Sequence, residues 1–211
     1  MKRSSKDFWA LSWIGRCHKS LVFGRRVRVL TKLLTQQIPA GATVLDIGCG
    51  DGTIGNMLAQ SRSDIAVEGV EISVRPDCRI PCRSFNGRNL PYPDRFFDVC
   101  LFVDVLHHTD DVELLLQEAA RVSGSLLLIK DHLSESLIDH ATLRLMDWVG
   151  NHHHGVPLPY NYQNRSAWDD YFSATHLKLK AWEQDIPIYP FPFSGIFGRT
   201  LHFVALLEKS A

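Results

Sequence analysis

The sequence predicts an α/β fold, a doubly wound sheet with an antiparallel hairpin at one edge, and three observations predict it. The stretch Thr43 to Gly55, TVLDIGCGDGTIG, runs from an apolar β-rich segment (Val44, Leu45, Ile47) through Gly48, Gly50 and Gly52 into an apolar helix (Ile54, Met57, Leu58). That is a buried strand, a tight turn and a helix start. A second apolar run, Ile65 to Val70, ends in Glu71, about 20 residues past the glycines, the distance at which an acid reaches a ribose diol in an open parallel sheet. Further short apolar runs then alternate with helical spacing, the signature of βαβ units.

The elements follow in order. Residues 1–37 hold nine Lys or Arg against Asp7 alone, so this segment carries +8 and the remainder −8 within a neutral chain. Two helices are expected there, the second from the apolar spacing of Val22 to Leu34. Phe8, Trp9, Leu11, Trp13 and Ile14 interleave with the basic residues, which suits a lid or a peripheral membrane contact through residues 1–20. Strands are expected near 43–47, 66–71, 80–85, 98–103 and 125–131, with a helix at 111–122 capped by Asp110 or Asp111 and an inner face of Leu114, Leu115 and Ala119. Helices follow at 134–149 and at 165–175, the latter started by Ser166, and strands near 177–184 and 201–208 close the sheet as the hairpin. DIPIYPFPFSGIFGRT, between them, is too rich in Pro and aromatics for a tight turn and reads as a substrate-facing flap.

The motif set VLDIGCGDG, VEGVEIS and LPYPDRFFDVCLFVDVLHH resembles the class I S-adenosylmethionine (SAM)-dependent methyltransferases, in particular the small-molecule and quinone-biosynthesis group. The likeness covers roughly residues 43–131. It implies a seven-stranded Rossmann-like methyltransferase domain over 1–211, with a cofactor-binding core at 43–131 and substrate-cap segments at 132–176 and 185–200. It also implies SAM as cofactor and, position by position, its contacts. Asp46 resembles the acid that organises the glycine loop, and Gly48, Cys49, Gly50 and Gly52 its floor. Glu71 resembles the ribose-diol acceptor with Ile72 beside it, Asn86 and Gly87 the adenine contacts, and Asp104 and Val105 the contacts to the methionine end. Asn86 stands where many relatives have an acid, and SVRPDCR is too short for the usual helix after Glu71.

Methyl transfer needs alignment and exclusion of water, and a base only where the nucleophile must lose a proton. His107, His108 and His132 stand at the ends of strands four and five and are the candidate bases, with Asp131 able to orient a neighbouring His or to cap the helix after it. Trp13, His153, Tyr160 and Tyr162 are candidate acceptor contacts, the cap being rich in aromatics, Pro and His.

Composition sets the remaining bounds. At 211 residues, 45% hydrophobic and 22% charged, the chain fits one globular domain. No apolar run approaches the roughly 20 residues of a membrane span and no signal-peptide pattern is seen, so a cytoplasmic protein is expected. Of five cysteines, Cys49 and Cys100 read as small hydrophobes within buried strands, while Cys78 and Cys82 lack a second pair, so no metal is expected. The reading is thus transfer of methyl from SAM to a small or lipid-like organic acceptor, on O, C or N. A non-catalytic SAM-binding or scaffold protein is the alternative. A nucleic-acid enzyme would show an additional binding domain or an Asn-Pro-Pro-Tyr pocket for a flipped base, and no such tetrapeptide occurs, so no nucleic-acid partner is expected.

Overall fold

Strands with apolar residues on both faces must be covered on both faces, and β1 (Thr43–Ile47) and β4 (Phe97–Val103) are such strands. Val44, Leu45, Ile47, Cys100, Leu101 and Phe102 are all fully buried. In the computed structural model, which describes residues 23–151, 159–191, 193–198 and 200–209, these two strands lie side by side at the centre of a seven-stranded sheet. The others are β2 (Ala66–Glu71), β3 (Cys82–Ser84), β5 (Ser123–His132), β6 (Leu177–Glu183) and β7 (His202–Lys209). The order is β3-β2-β1-β4-β5-β7-β6, parallel throughout except for β7, which runs antiparallel to β5 and β6. Strand order reverses between β1 and β4, so a crevice opens at their carboxyl ends.

Alternate side chains feed two cores. On one face Leu45, Ile47, Cys100, Phe102, Leu127 and Ile129 pack with Leu115, Leu116 and Ala119 of α3 (Val112–Val122) and Trp168 and Phe172 of α5 (Arg165–Ala174). On the other, Val44, Val99, Leu101 and Leu128 meet Leu30 and Leu34 of α1 (Gly24–Gln37) and Leu58 of α2 (Thr53–Ser61). Each such leucine contributes about 1.5–3 kcal/mol by burial. Among the described residues no helix is long and apolar enough to cross a membrane.

Several expectations shift. Asp111, not Asp110, caps α3 by accepting from Leu114 N, and the inner face is Val112, Leu115, Leu116 and Ala119, with Leu114 only half-buried. Asn164 rather than Ser166 starts α5, accepting from Ala167 N, because an Asx side chain one residue before the first turn reaches the orphan amides and one inside it does not. The helix expected at 134–149 is α4 (Leu137–Asn151), begun by Ser136 accepting from Asp139 N, so Asp131 does not cap it. Cys49 lies in the glycine turn and is partly exposed, not in a buried strand. Strand β3 is shorter than expected, while 72–81 contains no helix, in keeping with the shortness of SVRPDCR. The flap is partly core, since Ile186 and Ile188 are buried against the α1 side of the sheet, while Phe191 and Phe193 are exposed beyond them; α6 (Ser194–Phe197) follows. The first of the two N-terminal helices, with Trp13, and the loop with His153 fall outside the described residues.

Candidate active site

The turn after β1 hangs on the end of β2. Gly48 N and Cys49 N both donate to Val70 O, at 2.8 and 3.2 Å, and Gly52 N donates to Cys49 O at 2.9 Å. Gly48, Gly50 and Gly52 all have positive φ, which only glycine adopts without strain. Their surroundings divide them. A β-carbon on Gly48 would stand 2.7 Å from Val105 Cγ2, and one on Gly52 would stand 2.9 Å from Ile80 Cγ1, so these two accommodate neighbouring loops rather than a ligand. Only Gly50 has nothing within 4 Å of that position. Gly50 N donates to Glu71 Oε2 at 2.9 Å and Ile72 N to Glu71 Oε1 at 2.8 Å, which sets the Glu71 carboxylate at the open side of the turn. The glycine turn and Glu71 fit SAM on this geometry: an open cradle over Gly50 beside a carboxylate able to accept from a diol.

Asp46 is buried below the turn, and burial together with the Glu71 carboxylate raises its pKa to about 7. Ile72 is 64% exposed and faces Gly87, whose φ is +77° and whose β-carbon would meet Ile72 Cδ1 at 3.1 Å. Asn86 departs from expectation: its Oδ1 accepts from Arg88 N and Asn89 N at 2.9 and 2.8 Å, closing its own loop. An adenine contact from Asn86 therefore falls to its amide NH₂, a donor for a ring nitrogen rather than an acceptor for the exocyclic amine.

At the ends of β4 and β5 lies a buried charge network that the residue types there did not announce. Asp104, with φ +57°, pairs with Arg26 of α1 and with the fully buried Lys130 of β5, and these cations hold its pKa well below the usual carboxylate range against its burial. Lys130 Nζ also donates to His202 Nδ1 at 3.1 Å. The Asp104 carboxylate is therefore taken up by Arg26 and Lys130. One strand over, Asp131 accepts from Leu106 N (2.9 Å), His132 N (2.7 Å) and His107 Nδ1 (2.6 Å). His107 Nε2 faces Asp147 of α4 at 3.6 Å, and Tyr162 Oη donates to Asp147 at 2.5 Å. Three cations, Arg26, Lys130 and His107, thus stand against three carboxylates, Asp104, Asp131 and Asp147.

This balance sorts the three histidines. Burial pulls the His107 pKa down, but Asp131 and Asp147 outweigh it and hold it at about 10, so His107 is an imidazolium at neutral pH and no base. His108 is lowered to about 4 by burial and by the His107 charge. His132 is lowered by burial, Lys130 and His107, and its Nδ1 stands 3.3 Å from Asp131 Oδ1 and 3.7 Å from Asp104 Oδ1. His108 and His132 are therefore neutral and able to accept a proton. Tyr162 is buried with its hydroxyl bound to Asp147, so it supports the network rather than donating to an acceptor; Tyr160 is half-buried with Arg144 over its ring at 4.7 Å.

Sequence reading missed Arg26, Lys130, Asp147 and His202. One signal was present: Lys130 ends the otherwise apolar run Leu126 to Ile129, and a lysine there has to find partners.

Gly48→Val and Gly50→Ala separate the two roles of the glycines. Gly48→Val is expected to lower thermal stability, since a branched residue at positive φ would also collide with Val105. Gly50→Ala should cost only about 1–2 kcal/mol in backbone strain yet weaken SAM binding, which calorimetric titration beside thermal unfolding would read.

The strand order, the positive-φ turn at the end of β1 and the acid at the end of β2 are those of the class I SAM-dependent methyltransferase fold. The profile of a family described as methyltransferase domain matches residues 21–181, and the chain belongs to that family. It is 34% identical over 121 residues to 27-O-demethylrifamycin SV methyltransferase of Amycolatopsis mediterranei, covering 49% of this chain and 44% of that one. It is 37% identical over 95 residues to demethylmenaquinone methyltransferase of Tropheryma whipplei, covering 40% and 38%. The chain thus matches less than half the length of these curated relatives. The solved structure of a SAM-dependent methyltransferase from Thermotoga maritima shares the fold, with TM-score 0.65 and 20% identity over 97% of this chain and 96% of that one.

Proposed function

We propose that the chain transfers the methyl group of SAM to a small or lipid-like organic acceptor. The observation that carries this reading is the open cradle over Gly50 beside Glu71 at the carboxyl ends of β1 and β2, with neutral histidines following β4 and β5 on the same edge of the sheet. SAM, when bound, supplies an electrophilic methyl on sulfur. The chain's own residues do the rest: Glu71 accepts from the ribose hydroxyls, exposed Ile72 covers one face of the adenine, and Val105 lies against the turn at the methionine end. The relatives named for a menaquinone precursor and for a rifamycin favour an apolar ring or phenolic acceptor. Exposed Leu137, Ile138, Phe191 and Phe193 on the cap segments 132–176 and 185–200 support the same chemistry.

For an acceptor that must lose a proton, His132 is the base. It is neutral at working pH, and Asp131 and Asp104 stand within 4 Å to stabilise the imidazolium once it takes the proton. His108, its pKa lowered to about 4, is the weaker base.

Titration of the whole chain with SAM, followed by transfer of labelled methyl to hydroquinones and phenols, tests the reading. A scaffold with a lost pocket gives no heat. Glu71→Ala is expected to weaken SAM by about 1.5–3 kcal/mol, roughly ten- to hundredfold. An unchanged dissociation constant would remove Glu71 from the ribose.

A further inference from the structure

The spacing of Cys78 and Cys82 alone argues against a metal site, but the fold brings a third thiol to them. The helix-free segment after β2 and the start of β3 carry these two residues under the glycine turn, where Cys49 points back to meet them. Cys49 Sγ stands 3.5 Å from Cys82 Sγ, and the three sulfurs lie within 4.8 Å of one another. Glycines make the room: a β-carbon on Gly69 of β2 would stand 2.5 Å from Cys49 Sγ, and one on Gly52 would stand 3.1 Å from Cys78 Sγ. Sulfurs on a tetrahedral ion with metal–sulfur bonds of about 2.3 Å are about 3.8 Å apart, a span this cluster brackets. All three residues are partly exposed, so an entry path exists.

We propose that Cys49, Cys78 and Cys82 form a binding site for a thiophilic divalent cation of the Zn²⁺ type behind the glycine turn, with the fourth position left to water. Three thiolates select soft or borderline ions over Mg²⁺ and Ca²⁺. The thiolate, not the thiol, is the ligand for such an ion. Binding must therefore release thiol protons, and affinity rises with pH. The bound ion would tie the turn to the 72–81 segment, which meets it through Arg79 N donating to Asp51 O at 3.0 Å. This site is independent of the methyl acceptor and goes beyond the activity proposed above.

The test is titration of the reduced 211-residue chain with Co²⁺ and then Zn²⁺, followed by absorption. We expect one Co²⁺ per chain with thiolate-to-metal charge-transfer bands, displaced by Zn²⁺, and weaker binding at lower pH. Cys78→Ser, on an exposed segment where folding is not at stake, and Cys82→Ser should each weaken Co²⁺ binding about 10- to 100-fold or more and diminish the bands. Cys100→Ala, in the sheet core and outside the cluster, should leave both unchanged. Absence of the bands, or bands that persist undiminished in Cys78→Ser and Cys82→Ser chains with wild-type thermal unfolding, would overturn the site. A Cys49–Cys82 disulfide that survives reductant and excludes Co²⁺ would overturn it too.

Discussion

His132→Ala is expected to lower turnover of a hydroxyl acceptor about 10²- to 10⁴-fold while SAM affinity stays near wild type. The base must be unprotonated to act, and burial, Lys130 and His107 hold the His132 pKa below its ordinary value. Wild-type turnover should then be flat through neutral and alkaline pH and fall only on the acid side of about 6.5. His108→Ala should cost much less, because burial and the His107 charge lower its pKa to about 4 and leave it a weak base. Full turnover of His132→Ala across that range would leave proximity as the whole of catalysis.

Asp131→Ala should destabilise the fold by about 3–5 kcal/mol, the cost of leaving a buried charge without its partner. For a chain of this length that is a fall in Tm of roughly 6–20 °C. Asp131 is fully buried and answers three donors, Leu106 N, His132 N and His107 Nδ1, so its loss orphans two amides as well as an imidazolium. The pH dependence has a definite sign. His107 titrates at about 10 in the folded chain against an unfolded value of 6.5, so its pairing stabilises fully below 6.5 and is lost as pH rises through 10. Asp131 is held below the carboxylate range by His107 and His132 against its burial, so its share is present above the unfolded value of 3.8 and is lost as pH falls below it. Thermal unfolding between pH 5 and 10 should show the alkaline loss in wild type and not in Asp131→Ala. A variant within 1 kcal/mol of wild type would mean that the pair adds little.

What the sequence by itself determined was local. The β1 turn with Gly48, Gly50 and Gly52, the acid at Glu71, the parallel strands and the β6–β7 hairpin all follow from period, turn chemistry and short spacing, which neighbouring residues settle among themselves. Even the orienting of a histidine by Asp131 was legible, because both stand at strand ends. Only the tertiary structure decided which distant groups meet. Arg26 was one basic residue among nine in its segment until α1 packed on the sheet and set it against Asp104. Asp147 looked like a helix acid until α4 turned it to His107, making one of the three candidate bases a fixed cation. Cys49 read as a core hydrophobe until the order β3-β2-β1 laid Cys82 beside it. The physical reason is the same in each case: a side chain's charge and chemistry depend on which other strand ends share its crevice, and strand order is a property of the whole sheet, which no local window contains.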